Sequence, residues 1–195
     1  MTTAEILLFD GFDELDAFGP FEVLADVFDT AFVTLEEART VRSARGVAVG
    51  AQRALSERPD LVVVPGGGWL DRAPQGARAE AERGAIPAAL ATRHGAGTVL
   101  ASVCTGALLL AHAGILAGRR ATTNPQALDD LRGFPQVEVV AARVVDDGDI
   151  VTAGAPTCGL DLGLRLVERE RGPEAAAAAA REIAYEPLRA AAADT

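Results

Sequence analysis

Between Val99 and Ala111 an apolar run with strand character reaches a cysteine and becomes helical with no loop in between. Buried parallel strands read as continuous apolar runs of this kind, and the residues after the cysteine stay apolar almost all round, as in a buried helix. Such a junction allows only a sharp elbow, and Cys104 at that elbow projects from the carboxyl end of a strand. In open α/β sheets that rim holds the ligand crevice, and the positive end of the following helix favours a thiolate there.

The same alternation runs through the rest of the chain. Apolar runs at 4–9, 31–35, 61–64, 98–103, 137–141 and 150–153 predict strands, and the helical patterns between them predict an α/β fold, a mostly parallel sheet covered by helices on both faces. Leu15, Phe18, Phe21, Leu24 and Phe28 recur at three- and four-residue spacing, predicting a first crossover helix whose apolar stripe faces the sheet. Residues 40–49 predict a small hairpin or edge strand, Gly84 and Pro87 mark a break within a helix over 78–94, and Asp147-Gly148 predicts a hairpin turn. Further helices are expected at about 159–169 and at 173–185, the latter with Pro173 in its first turn. One domain over 1–188 is expected, with 189–195 fraying.

Composition removes several functions. The net charge is −10, which argues against nucleic acid or an anionic membrane as partner. All 18 basic residues are arginine, so chemistry that needs a lysine Schiff base or a P-loop lysine is excluded. No apolar run approaches the length of a membrane span, and no basic leader precedes the first apolar run; the expectation is a cytoplasmic protein. Cys104 and Cys158 are far apart in sequence and read as thiols in a reducing compartment. Two histidines without ligand spacing give no metal site.

Three loops that directly follow apolar strands should converge on one rim: Asp10 to Asp16, Val64 to Trp69, and the Cys104 elbow. The glycines at 66–68 permit close backbone approach, and with the Thr105 N–H they are candidates for an anion hole. A carboxylate beside the thiol would serve as acid and base, and Asp13, Glu14 and Asp16 are the candidates. Asp16 is favoured because it lies nearest the apolar, turn-forming part of its loop, before Ala17-Phe18-Gly19-Pro20. A cysteine in an apolar run is often only a small buried hydrophobe; the elbow and the glycine loop favour catalysis for Cys104, whereas Cys158 lacks such a loop and reads as packed. His94 reads as a cap at a helix end and His112 as a core residue. Phe18, Gly68 and Trp69 are the candidate lining of a modest apolar pocket for a small molecule.

The motifs Leu15-Asp16-Ala17-Phe18-Gly19-Pro20, Val63-Val64-Pro65-Gly66-Gly67, Ser102-Val103-Cys104-Thr105-Gly106, Gly114 to Thr123 and Val145-Asp146-Asp147-Gly148 together resemble the ThiJ/PfpI superfamily over nearly the whole chain. That resemblance implies a flavodoxin-like, doubly wound sandwich related to class I glutamine amidotransferases. The pairing of Asp-x-x-Gly-Pro with Ser-Val-Cys-Thr-Gly is similar to isonitrile (isocyanide) hydratases and to the sensing domains of some AraC-type regulators. It implies Cys104 as nucleophile, Asp16 as its acid and base, Gly67 and Thr105 N–H groups as anion donors, no cofactor, and a homodimer. The chain length leaves no room for a helix-turn-helix module, so a stand-alone enzyme is expected. Many relatives carry histidine where Asn124 stands, and an asparagine cannot act as a base. Three functions follow as expectations: hydration of an isonitrile to an N-substituted formamide through a thioimidate on Cys104, glyoxalase- or deglycase-like action on a small carbonyl compound, or a non-enzymatic redox sensor.

Overall fold

The structure, a computed structural model, describes residues 1–187. The expected frayed tail, 189–195, and residue 188 lie outside the described residues. The chain runs β1 (Thr3–Leu7), α1 (Glu14–Leu24), β2 (Asp29–Thr34), β3 (Thr40–Arg42), β4 (Ala48–Gly50), β5 (Arg53–Ala54), β6 (Leu61–Val64), α2 (Ala77–Arg83) and α3 (Ala85–Gly95). It continues through β7 (Val99–Val103), α4 (Gly106–His112), β8 (Arg120–Ala121), a 3-10 turn (Pro125–Ala127), α5 (Leu128–Arg132), β9 (Glu138–Val139), β10 (Val144–Asp146), β11 (Ile150–Ala153), α6 (Cys158–Arg171) and α7 (Pro173–Glu182).

Seven strands form the main sheet in the order β10-β11-β7-β6-β1-β2-β5, parallel throughout except for the β10–β11 hairpin. Taken alone, β2-β1-β6-β7-β11 is the 2-1-3-4-5 order of a flavodoxin-like sheet. Helices α1, α6 and α7 pack together as one layer, and α2, α3 and α4 as the other. The central strand β6 is buried at every position, which is why its sequence is an unbroken run of Leu and Val. Strand order reverses direction between β1 and β6, and at their carboxyl ends the segments that follow these two strands meet, the Asp13 N–H donating to the Gly66 carbonyl at 2.8 Å.

The β3–β4 hairpin, the break at Gly84 and the Asp147-Gly148 turn form as the sequence indicated. The expected sheet strand over 137–141 does not join the main sheet. Only Glu138–Val139 is extended, and it pairs with β8 in a separate two-stranded ribbon, because the edge beside β11 is taken by β10.

The apolar stripe of α1 is also turned from its expected place. Leu15 and Phe18 are 42% and 39% exposed, while Asp16, Ala17, Gly19, Pro20, Val23 and Leu24 form the buried face. The cause lies in α6, whose Gly159 and Gly163 leave a shallow seam. A Cβ on Gly163 would sit 2.7 Å from Val23 Cβ, and one on Gly159 would sit 2.9 Å from Pro20 Cδ. Small residues therefore bring α1 close, and its aromatic side chains move to the sheet edge, where Phe18 and Phe21 pack on Phe32 at 5.1 and 4.6 Å between centroids.

Candidate active site

Cys104 directly follows β7 and has φ +56°, a left-handed conformation that is strained for a residue with a Cβ. Two bonds hold the elbow: Cys104 N–H donates to the Ala153 carbonyl at 2.9 Å, and the Cys104 carbonyl accepts from Thr123 Oγ1 at 2.8 Å. Gly106 allows α4 to start against the neighbouring strand, since a Cβ there would lie 2.9 Å from the Pro65 carbonyl oxygen. The thiol is nearly covered, with Cys104 7% exposed.

Asp16, in the first turn of α1, is fully buried. Its Oδ2 accepts the Gly66 N–H at 2.9 Å, and its Oδ1 has no hydrogen-bond partner within the fold. Gly66 makes this approach possible, because a Cβ there would stand 3.0 Å from Asp16 Oδ2 and 2.6 Å from the Thr105 nitrogen. Burial pushes the Asp16 carboxyl up to about 8, with the charge of Asp13 adding to the shift, while the Gly66 N–H and the Cys104 thiol oppose it. Cys104 is pushed up to about 12 by burial and by the charge of Asp16, against the Asn124 amide and the Thr105 N–H. The Asp16 charge opposes the thiolate only while Asp16 is ionised, so one proton retained on the carboxyl removes that repulsion.

The three candidate carboxylates are now distinct. Asp13 caps α1 by accepting the Leu15 N–H at 3.1 Å and pairs with Arg45 at 3.0 Å. Glu14 accepts from Ser43 Oγ at 2.5 Å, from the Arg45 N–H at 3.0 Å and from the Arg45 guanidinium at 2.6 Å. The β3–β4 hairpin thus occupies both, and Asp16 alone keeps a free oxygen beside the thiol.

The glycine loop serves differently from the simplest expectation. Gly67 N–H donates to Thr105 Oγ1 at 3.1 Å, and the Thr105 N–H acts on the Cys104 sulfur. Gly68, at φ +66°, packs against Gly76, whose Cα would lie 3.1 Å from an added Cβ. Trp69 is 8% exposed, donates Nε1–H to Asp130 Oδ2 at 2.7 Å and tilts over His112 at 5.9 Å. Since His112 ends α4, about two turns from the elbow, this ring sits over the far end of that helix. Phe18 lies two residues after Asp16, roughly 200° around α1, and packs on Phe32. The fold therefore gathers Cys104, Asp16, Gly66, Gly67 and Thr105, and directs Phe18 and Trp69 to other contacts. His112 is exposed rather than in the core, its ring edge-on to Phe134 at 5.2 Å. His94 bonds Asp149 at 2.9 Å instead of capping carbonyls. A wide groove of about 1180 Å³ lies elsewhere, among α6, α7 and the β10 edge, lined by Ala142, Leu164 and Ala177, and includes none of these residues.

One functional contact exceeds what the sequence indicated. Asn124 Nδ2 donates to Cys104 Sγ at 3.1 Å, while its Oδ1 accepts the Gln126 N–H at 2.9 Å as the cap of the 3-10 turn. The signal for the cap was present in Asn124-Pro125, a helix-start pair; the contact with sulfur depends on β8 and the turn lying over the elbow.

The chain is 32% identical over 184 residues to a protein of Pseudomonas putida named isonitrile hydratase, covering 93% of this chain and 77% of that one. It is 29% identical to a Pyrococcus horikoshii protein named deglycase, over 74% of this chain and 85% of that one. A solved ThiJ/PfpI family protein from Pseudomonas syringae superposes with TM-score 0.84 at 27% identity, covering 100% of this chain and 80% of that structure. The elbow cysteine with its buried carboxyl thus sits in a fold and a sequence pattern shared along most of the chain, and the match to the DJ-1/PfpI family over residues 2–169 places the chain in that family.

Proposed function

We propose that the protein is a cofactor-free, cysteine-dependent hydratase that converts an isonitrile to an N-substituted formamide. The observation that carries this is Asp16: a buried carboxyl with one unbonded oxygen, pushed up to about 8, beside an elbow thiol. Such a carboxyl holds a proton at neutral pH and can deliver it.

In the first step the Cys104 sulfur bonds the terminal carbon of R–N≡C and that carbon takes a proton from the Cys104–Asp16 pair, giving the thioimidate R–N=CH–S–Cys104. Water then adds to the same carbon, its proton passing through Asp16 to nitrogen. The tetrahedral adduct R–NH–CH(OH)–S–Cys104 collapses, the C–S bond breaks, and the hydroxyl proton returns to the pair as R–NH–CHO leaves. The sum is isonitrile plus water to formamide, with the enzyme regenerated. No step needs a base other than Asp16, which suits a site where Asn124 contacts the sulfur. The likeness to the Pseudomonas putida isonitrile hydratase supports the same chemistry.

A second reading, deglycase- or glyoxalase-like action, is favoured by the likeness to the Pyrococcus deglycase; there the thiol adds to an aldehyde as a hemithioacetal and Asp16 moves the proton. The working form we propose is a homodimer, as the family implies, acting on small molecules in the cytoplasm. Among the described residues no helix is long and apolar enough to cross a membrane.

Following formamide release from alkyl and aryl isonitriles, with methylglyoxal loss measured alongside, separates the two. Turnover of isonitriles that disappears in Cys104→Ala is the expected result. Inactivity across several isonitriles together with Cys104-dependent methylglyoxal loss would move the assignment to carbonyl chemistry.

A further inference from the structure

Asn124 stands where a titrating side chain could have faced the sulfur, and its surroundings fix which way its amide points. The Gln126 N–H can only be met by an acceptor, so the Asn124 atom facing it at 2.9 Å is Oδ1, and the NH₂ group must face Cys104 Sγ at 3.1 Å. The backbone on both sides is tied down. Thr123 Oγ1 holds the Cys104 carbonyl at 2.8 Å, the Thr122 N–H donates to Thr152 Oγ1 at 2.9 Å, and Pro125 opens the 3-10 turn.

We propose that Asn124 is a fixed hydrogen-bond donor to the nucleophile, which stabilises the sulfur as it gains or regains negative charge and exchanges no proton itself. Cys104 is taken as the reactive thiol, as in the proposed function, whatever electrophile it meets. An N–H donor bonds an anionic sulfur more strongly than a neutral thiol, so its benefit is largest when the thiolate forms and when the C–S bond breaks. The Thr105 N–H, which also favours charge on this sulfur, is equally unable to titrate. The ionisable groups that act on Cys104 are Asp16 and Asp13 from the start of α1, with Arg45 of the β3–β4 turn acting through Asp16. Proton handling then falls to the Cys104–Asp16 pair alone.

The test is the pH dependence of Cys104 alkylation by iodoacetamide in the full chain, read by mass spectrometry of the Cys104 peptide. Asn124→Ser and Asn124→Asp both keep an oxygen for the Gln126 N–H, so the cap survives, but serine is too short to reach the sulfur and aspartate brings a negative charge to it. The expected result is a rise in the apparent thiol pKa in both, with a rate at pH 7.5 about tenfold lower for serine and lower again for aspartate. Asn124→His, which restores a ring nitrogen that titrates, should add an inflection in the ordinary histidine range.

Profiles of all three variants that superimpose on the wild type would overturn the assignment. Isonitrile inactivity in a wild type whose alkylation still responds to these substitutions would overturn the hydratase and leave Asn124 in its role. Turnover intact with alkylation unmoved would do the reverse.

Discussion

Asp16 and Gly66 lie 50 residues apart in sequence and meet through the 2.9 Å bond from the Gly66 N–H to Asp16 Oδ2. This bond joins the first turn of α1 to the loop after β6, so the placement of the carboxyl depends on both sides of the switch point. It also leaves Oδ1 without a hydrogen-bond partner in the fold.

Replacing Asp16 by asparagine preserves shape and removes both the proton and the charge. Hydration of an isonitrile should fall by about 10²- to 10⁴-fold, the range for loss of a general acid and base. Alkylation of Cys104 near pH 8 should instead speed up, because the Asp16 charge that raises the thiol is gone. A variant that loses both reactivities together would contradict the division of labour between the two groups.

Stability should depend on pH through the same carboxyl. Asp16 is raised from 3.8 in the unfolded chain to about 8 in the fold, so between these values the unfolded state ionises first. Its contribution is fully present below the lower value and lost as pH climbs towards the upper one. The wild type should lose on the order of a few kcal/mol relative to Asp16→Asn between about pH 4 and pH 8, then run parallel to it. Urea midpoints measured across that range check this; a constant difference between the two proteins would rule it out.

The seam between α1 and α6 gives a packing test. Gly163→Ala places a Cβ 2.7 Å from Val23 Cβ and should cost about 1–3 kcal/mol. Because α1 carries Asp16, turnover should fall as well. Val23→Gly in the same chain removes the Cβ that it meets, and the pair should show a coupling of about 1 kcal/mol. Simple additivity of the two unfolding energies would mean that the helices do not meet there.

Cys158 is 2% exposed at the start of α6, and we read it as a packed residue. Cys158→Ala should keep kcat/KM within about threefold while lowering the melting temperature by a few degrees. Loss of turnover on this substitution, with the fold intact, would require a second functional thiol.

Much of the fold was legible because parallel strands covered on both faces leave unbroken apolar runs, as in Leu61–Val64 and Ile150–Ala153. The orientation of α1 was not, since spacing shows a stripe but not the neighbour it meets; Gly159 and Gly163, more than a hundred residues away, decide that. The strand expected at 137–141 has the right residues and the wrong partner, β8. Within the site, Cys104 could be placed from local pattern alone. Choosing Asp16 over Asp13 and Glu14 by geometry required Ser43 and Arg45, which engage the other two from a distant hairpin. The use of the Gly67 N–H by Thr105 likewise exists only once two loops have met.

With Cys104 only 7% exposed as a residue, the proposed reaction would sort reactants by cross-section before any chemistry begins. A rod-like group meeting the sulfur end-on needs a channel only one atom wide, whereas a planar carbonyl must present a face. On that proposal the recessed elbow would act as a sieve, and the slenderness of a reactive terminus would count beside its electrophilicity.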